Sequence, residues 1–336
     1  VLFFFISMME DTGYLARVAY LMDDIMHIVG LHGRSFIPLL MGFNCNVPAI
    51  IAARDIHNTK NRILTILMVP FMSCSARLPV YILFVSTFFT QHKALVLGSI
   101  YLIGLALSFL FGWIMKHTKW FKQPEQDYIN ELPKFQLPSW QSIGRHIWYR
   151  IKDFLQKIST VVLCASVIIW ALEYFPQNTH QEQLYAQQIA NVQADTTLTA
   201  EQIGHQVDSL QKASAAYHNA NSYIGKFGHA IAPIVEPCGF DWQIGVALCT
   251  GIAAKEVVVS TLGVLYQADD NEASRVSLGE KMKEQRWPEG SINAGKPIYT
   301  PLTAYVLMLF VLLSVPCLAA LAAIKHEAGW GWVTFT

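Results

Sequence analysis

Long apolar segments separated by short polar loops are the main pattern in this chain of 336 residues. Residues 94–115 and residues 302–324 contain no Asp, Glu, Lys or Arg. A helix of about 20 apolar residues spans the hydrocarbon core of a bilayer. The pattern therefore predicts an all-α fold, that of a polytopic helical membrane protein.

The composition supports this prediction and argues against nucleic acid as a partner. Hydrophobic residues make up 53% of the chain and charged residues only 14%, whereas soluble domains carry about 25% charged residues. The formal net charge is zero, so no basic surface for a phosphate backbone is indicated. The six cysteines form no CxxC pair, which favours free thiols over a disulfide framework.

The distribution of charge divides the chain into five expected segments. They are a first membrane half, a basic cytoplasmic linker with an amphipathic interfacial helix, a transmembrane helix, an external polar helical insert and a second membrane half, at residues 1–115, 116–157, 158–175, 176–235 and 236–336 in turn. The sidedness follows from the accumulation of Lys and Arg on the cytoplasmic side of membranes. Within the second half, residues 267–300 are predicted to be a charged loop. Both ends of the chain lie in apolar runs, so we expect it to be truncated at both ends.

A polar interruption, GFNCNVP at residues 42–48, lies inside an otherwise apolar segment. Gly42 allows backbones to approach closely, and Pro48 removes a donor and disfavours a helical conformation at the residue before it. The polar side chains of the interruption are those of Asn44, Cys45 and Asn46. At membrane depth such groups are costly unless they bond to something. We interpret the stretch as a broken helix facing a cavity; the alternative is a kinked helix with satisfied amides.

A second interrupted helix is predicted at residues 63–89, which contain Cys74, Arg77 and Pro79. A cation at that depth needs an anionic partner. Glu10 and Asp11, in the apolar N-terminal segment, are the candidates for pairing with Arg77. The alternative is that these two carboxylates are solvated at a membrane surface.

The second half has its own charged interruption. Lys255 and Glu256 lie at the centre of the apolar residues 244–266. Charged groups inside a membrane indicate a functional role by default, here gating or charge tuning. The alternative is a structural salt bridge between helices.

The two halves share one plan. Gly42 opens the first interruption and Gly251 the second, and each is followed by a cysteine in a proline-broken span. Those cysteines are Cys74, before Pro79, and Cys317, after Pro316. Corresponding interruptions in two halves are typical of transporters built from repeats around a midplane site.

Three cysteines at predicted helix breaks favour a metal-ion path. A single intramembrane cysteine is most often a small core residue. Thiols combined with amide oxygens and a carboxylate suit Fe²⁺, Zn²⁺ or Cu⁺ better than Mg²⁺ or Ca²⁺. A transport site must also release its ion, so weak, partly hydrated ligation is expected.

At these positions the chain closely resembles the ferrous iron transport protein B family of prokaryotes. The motifs that carry the resemblance are EDTGYLAR (10–17), GFNCNVPAI (42–50), CSARLPV (74–80), GFDWQIGV (239–246) and AKEVVVSTLG (254–263), with a late proline-cysteine step at residues 316–317. The resemblance implies two gate-type membrane halves related to the nucleoside-transporter gate fold. It also implies import of Fe²⁺ across the cell inner membrane, along a path lined by Cys45, Cys74 and Cys317.

The resemblance also implies partners outside this chain. Members of the family begin with a cytosolic GTP-binding domain, so GTP and Mg²⁺ are expected only there and no enzymatic activity is expected here. That domain, small cytosolic accessory proteins and a homo-oligomer are the implied partners.

The expected mechanism places Fe²⁺, partly stripped of water, beside Cys45 and its two flanking asparagines. Cys74 and Cys317 would lie nearby, and Lys255 with Glu256 would gate the path or tune its charge. The helix-break residues would let the gate helices rock; they are Gly42, Pro48, Pro79, Gly251 and Pro316.

Other functions are weighed against this one. A carrier of another divalent metal or of a nucleoside on the same fold is the main alternative, although a nucleoside site should bring aromatic and carboxamide groups without three pathway thiols. A membrane enzyme is disfavoured because the chain has no HExxH or GxSxG motif. Residues 290–296 match a phosphate-loop pattern, but Pro297 replaces the required Ser or Thr. If the chain served only as an oligomerisation scaffold, removing the thiols would leave transport by the intact protein unchanged.

Overall fold

The structure is a computed structural model that describes most of both membrane halves. The described residues are 8–9, 12–118, 120–121, 179–194, 239–266, 274–286, 295 and 297–336, with scattered positions between 144 and 175 and between 206 and 230. Glu10, Asp11 and most of the linker therefore lie outside the described residues.

The described part of the chain is helical and contains no β-strand. In chain order its α-helices are α1 Tyr14–Leu21, α2 Asp23–Val29, α3 Phe36–Gly42, α4 Asn46–Ala52, α5 Thr59–Met68, α6 Leu78–Phe88, α7 Lys93–His117, α8 Thr179–Ala194, α9 Trp242–Ala253, α10 Val257–Leu265, α11 Ser274–Glu284, α12 Pro301–Leu313, α13 Leu318–Ala328 and α14 Trp330–Val333. Among the described residues, three helical stretches are long and apolar enough to cross a membrane: Thr59–Phe88, Lys93–His117 and Pro301–Ala328. The predicted class of helical membrane protein is confirmed.

The chain forms two compact units. The first comprises Val1–Ala76, Gly98–Cys164 and Leu312–Thr336, and the second comprises Arg77–Leu97 and Ala165–Val311. The core of the first unit is built by α3, α4, α5 and α13, with Ala49, Ile50 and Ile66 fully buried in it. In the second unit, Trp242 of α9 packs against Val246 and Leu265.

Helices α3 and α4 form a hairpin in which the chain turns back on itself, named here the first hairpin. The two helices pack against each other, and Arg34 Nη1 lies 3.2 Å from His57 Nδ1 across the open end. A continuous helix would separate these residues by about 35 Å, given a rise of 1.5 Å per residue. Each arm has seven residues, too few to cross a bilayer. The interruption at residues 43–45 is therefore the tip of a re-entrant hairpin.

Helices α9 and α10 form the second hairpin in the same way. Gly251 faces Val258 near the tip, where an added Cβ would lie 2.4 Å from Val258 Cγ2. Thr250 and Thr261 are joined hydroxyl to hydroxyl at 3.2 Å. At the open end, Tyr266 bonds to Asp241. Sequence signals marked these two interruptions but did not indicate that the chain reverses there.

One helix was missed by the sequence analysis. Residues 267–300 were predicted to be a charged loop, but Ser274–Glu284 forms α11 and packs against α6. Leu278 and Met282, one helical turn apart, are buried. An added Cβ on Gly279 would lie 2.3 Å from Thr87 Oγ1. Two apolar residues on a charged helix are enough for docking, yet too few to produce a clear periodic signal.

Gly112 and Gly98 of α7 provide a matched test of packing in the first unit. A Cβ on Gly112 would lie 2.3 Å from Val29 Cγ1, whereas a Cβ on Gly98 would meet nothing within 4 Å. We expect Gly112→Ala to destabilise the protein by about 1–3 kcal/mol through overpacking. Gly98→Ala should be neutral, or stabilising by up to about 1 kcal/mol through helix propensity. Thermal unfolding of the two variants in detergent checks this, and equal unfolding temperatures would contradict it.

Candidate functional site

The tip of the first hairpin is a backbone interruption at Cys45. This residue is extended, with φ −151° and ψ 126°, and it precedes the first residue of α4. Its thiol is partly buried. Pro48 lies in the first turn of α4, where a missing backbone donor costs nothing because the first amides of a helix have no intrahelical acceptor.

Asn46 is the first residue of α4, and its side-chain amide oxygen is an unsatisfied hydrogen-bond acceptor among the described residues. Its side chain is buried, with 4% of the residue exposed. Within the described part of the chain, Asn46 Oδ1 is buried and accepts no hydrogen bond. A buried carbonyl oxygen without a donor costs about 1–3 kcal/mol. A buried amide oxygen of this kind, on the residue that follows Cys45, has the chemistry to accept a cation.

The first tip is tied to the interruption between α5 and α6. The Asn44 carbonyl oxygen accepts a hydrogen bond of 3.1 Å from the Ser75 backbone amide and one of 2.8 Å from Ser75 Oγ. Cys45 follows Asn44 and Cys74 precedes Ser75, so both cysteines adjoin the bonded pair. Gly42 lies close to Met72, where an added Cβ would be 3.1 Å from Met72 Cβ.

Cys317 is the N-cap of α13, a helix that packs against α4. Pro316 and the preceding residues interrupt the span between α12 and α13. Cys45 and Cys317 both pack against the core of the first unit, and both are partly buried, as is Cys74. No three His, Cys, Asp or Glu side chains among the described residues are grouped closely enough to hold a metal ion. The three thiols thus belong to one unit but do not form a closed cage.

The second hairpin repeats the backbone of the first at its tip. Aligning Gly42 with Gly251 pairs Cys45 with Ala254, which has φ −149° and ψ 123°, within 3° of Cys45 at both angles. The same alignment pairs Asn46 with Lys255, and each is 4% exposed. Glu256, the next residue, is exposed. The second tip therefore offers a buried ammonium group where the first offers an amide.

The remaining predicted residues are more dispersed. Arg77 is buried, with 1% exposed, and belongs to the second unit. Its expected pairing with Glu10 or Asp11 stays a prediction, because those residues lie outside the described part. Pro79 occupies the first turn of α6.

Sequence reasoning missed a buried polar cluster at the open end of the second hairpin. Asp241 caps α9 by accepting a hydrogen bond of 2.9 Å from the Ile244 amide. It also accepts a bond of 2.7 Å from Tyr266 Oη, and Tyr266 and Tyr299 are joined at 2.7 Å. The cluster links both arms of the hairpin to the start of α12. An Asp directly before an apolar run, the usual signal of a helix start, could have revealed the cap.

Polar groups also gather near the open end of the first hairpin. Asp23 Oδ1 accepts a hydrogen bond of 2.6 Å from the Gly33 amide and lies 3.0 Å from His32 Nδ1. Burial lowers the pKa of His32, and the nearby Asp23 carboxylate opposes this shift. Gly33 admits no side chain, since a Cβ would lie 1.9 Å from the Ala19 carbonyl oxygen.

Two protein-family models match the chain. The Gate model, described as nucleoside recognition, matches residues 1–88 and 155–331. A model of the C terminus of ferrous iron transport protein B matches residues 97–150. No solved structure matches the chain.

Curated relatives match nearly the whole chain. An "Fe(2+) transport protein A/Fe(2+) transporter FeoB fusion protein" of Porphyromonas gingivalis is 43% identical over 100% of the chain and 39% of its own length. An Fe(2+) transporter FeoB of Helicobacter pylori is 38% identical over 98% of the chain and 49% of its own length. An Fe(2+) transporter FeoB of Staphylococcus aureus is 38% identical over 99% of the chain and 42% of its own length. The chain spans less than half the length of each relative.

The buried cluster predicts a stability effect. Tyr266→Phe removes a hydrogen bond to a buried carboxyl group, and we expect a loss of about 1.5–3 kcal/mol in the free energy of unfolding. Tyr20→Phe, at an exposed tyrosine, is the control and should be neutral. Chemical denaturation in detergent measures both, and equal stabilities of the two variants would contradict the role given to the cluster.

Proposed function

The chain belongs to the Gate family and corresponds to the C-terminal permease part of ferrous iron transport protein B, and we propose that it moves Fe²⁺ across the cell inner membrane. The names of the relatives support Fe²⁺ as the substrate. The three apolar spans support a membrane location.

We propose that the ion path runs past the tip of the first hairpin. The observation that carries this is the buried Asn46 carbonyl oxygen, which accepts no hydrogen bond from the described residues and lies next to Cys45. Thiol sulfur and amide oxygen together suit a borderline divalent ion. Fe²⁺ would exchange part of its water shell for Cys45 and the side chains of Asn44 and Asn46. Cys74 and Cys317 would act as neighbouring ligands.

A transport site must release its ion, so we expect the ligation of Fe²⁺ here to be incomplete and exchangeable. Lys255, at the second tip, would repel a cation and so tune or gate its passage together with Glu256.

In the natural protein, movement would be gated by a GTP-binding domain outside this chain, with GTP and Mg²⁺ bound only there. The fusion of Fe(2+) transport protein A to the Porphyromonas gingivalis relative supports a small accessory partner of the same transport system. A homo-oligomer completes the proposed set of partners.

A nucleoside or another divalent metal is the second candidate substrate. The description of the Gate model as nucleoside recognition favours testing a nucleoside. The three half-buried thiols at helix interruptions favour a metal ion instead. Uptake of labelled nucleoside and of Zn²⁺ or Mn²⁺ by the same cells separates these substrates from Fe²⁺.

Replacing Cys45 tests the proposal. In cells that express the natural gene product under anaerobic conditions, Cys45→Ser should lower Fe²⁺ uptake roughly tenfold, equivalent to about 1.4 kcal/mol of lost ion stabilisation. The matched control is Cys164→Ser, at an exposed cysteine that belongs to neither hairpin, which should transport normally. Membrane expression of both variants is matched by immunoblot. Normal uptake by Cys45→Ser would refute a thiol-lined path and return Cys45 to a packing role.

A further inference from the structure

An ion pair joins the C-terminal ends of α4 and α13, the helices that directly follow Cys45 and Cys317. Arg54, just after α4, donates from Nε to Glu327 Oε2 at 2.7 Å and from Nη2 to Glu327 Oε1. The Glu327 side chain, near the end of α13, is only 7% exposed. The two-point geometry fixes direction as well as distance, as is usual for an Arg–carboxylate pair.

The ion pair and the two cysteines lie at comparable separations along the two helices. Arg54 follows Cys45 by nine residues, and Glu327 follows Cys317 by ten. At a rise of 1.5 Å per residue these separations are about 14 Å and 15 Å. Helices α4 and α13 pack together, and the ion pair bonds the residues at their C-terminal ends; an arrangement in which both helices run in the same direction meets both conditions. In that arrangement Cys45 and Cys317 both lie at the opposite, N-terminal end of the helix pair.

We propose that the Arg54–Glu327 ion pair is a positioning pair that holds Cys45 in register with Cys317. A register shift of one helical turn, about 5.4 Å, would separate the two thiols beyond the reach of a single metal ion. The pair lies at the far end of the helices, so it acts on the thiols through the rigid helix pair. Its role in transport rests on the proposed function, whereas its effect on thiol geometry does not.

The charged and polar groups around the ion pair make the alignment of α4 with α13 sensitive to charge reversal. Arg54 Nη2 also lies 3.5 Å from His326 Nδ1, and that nitrogen lies 3.2 Å from Glu327 Oε1. Reversing the charge of Arg54 would place a second carboxylate against the buried one, and reversing Glu327 would oppose two cations. Removing one partner of a buried pair is strongly unfavourable, because the other charge stays buried and uncompensated.

Cross-linking of the two thiols tests the proposal. The natural protein in membrane vesicles is treated with a short bifunctional maleimide, and the peptide that joins Cys45 to Cys317 is quantified by mass spectrometry. We expect Arg54→Glu and Glu327→Arg each to lower its yield about fivefold, and the double charge swap to restore it to within about twofold, as in a double-mutant cycle. The control is Lys93→Glu, a charge reversal at an exposed position, which should leave the yield unchanged.

Single charge reversals that fail to accumulate are replaced by Arg54→Lys. This variant keeps the charge but loses the two-point geometry, and it should give a yield between those of the wild type and the reversals. Wild-type yields in the folded single variants would overturn the proposal, as would a folded double swap that fails to recover. Fe²⁺ uptake is measured in parallel. Reduced cross-linking with normal uptake would refute the thiol-lined path while supporting the positioning role, so the two proposals fail separately.

Discussion

The two hydrogen bonds from Ser75 to the Asn44 carbonyl oxygen are the interaction on which the candidate site depends. Inside a membrane an unpaired backbone carbonyl costs several kcal/mol, so non-helical backbone survives only where protein groups or a water-filled cavity satisfy it. Here Ser75, in the interruption between α5 and α6, supplies both donors to the Asn44 carbonyl oxygen at the tip of the first hairpin. The tip of the first hairpin can leave the helical conformation because the break between α5 and α6 supplies its donors. Cys45 and Cys74 are held at non-helical positions as a consequence.

The two hairpins have the same backbone conformation at their tips but present different functional groups there. Cys45 and Ala254, at the tips of the two hairpins, have matching backbone torsions but different side chains. The first hairpin places a thiol and an amide at its tip, and the second places an ammonium group and a carboxylate there. Only the first set suits a borderline divalent cation. The division of labour between ligation and gating in the proposed function follows from this difference.

The sequence predicted the positions of the interruptions better than their shapes. Gly42 and Pro48 are local signals, and the break they bracket is present at residues 43–45. The reversal of the chain depends on tertiary contacts such as Arg34 with His57, which no local pattern encodes. Helix α11 was not predicted because its two buried apolar residues, Leu278 and Met282, are too few to give a clear helical periodicity in the sequence. The Arg54–Glu327 pair joins residues 273 positions apart, so neither residue indicated its partner.

The proposed path depends above all on contact between Fe²⁺ and the Cys45 thiol during passage. The most direct measurement is the alkylation rate of Cys45 in the purified natural protein under anaerobic conditions, followed by mass spectrometry with and without Fe²⁺. If Fe²⁺ contacts this thiol, it slows alkylation of Cys45, whereas Mg²⁺ at the same concentration does not, since thiols prefer the softer ion. Equal rates with and without Fe²⁺ would rule out this contact.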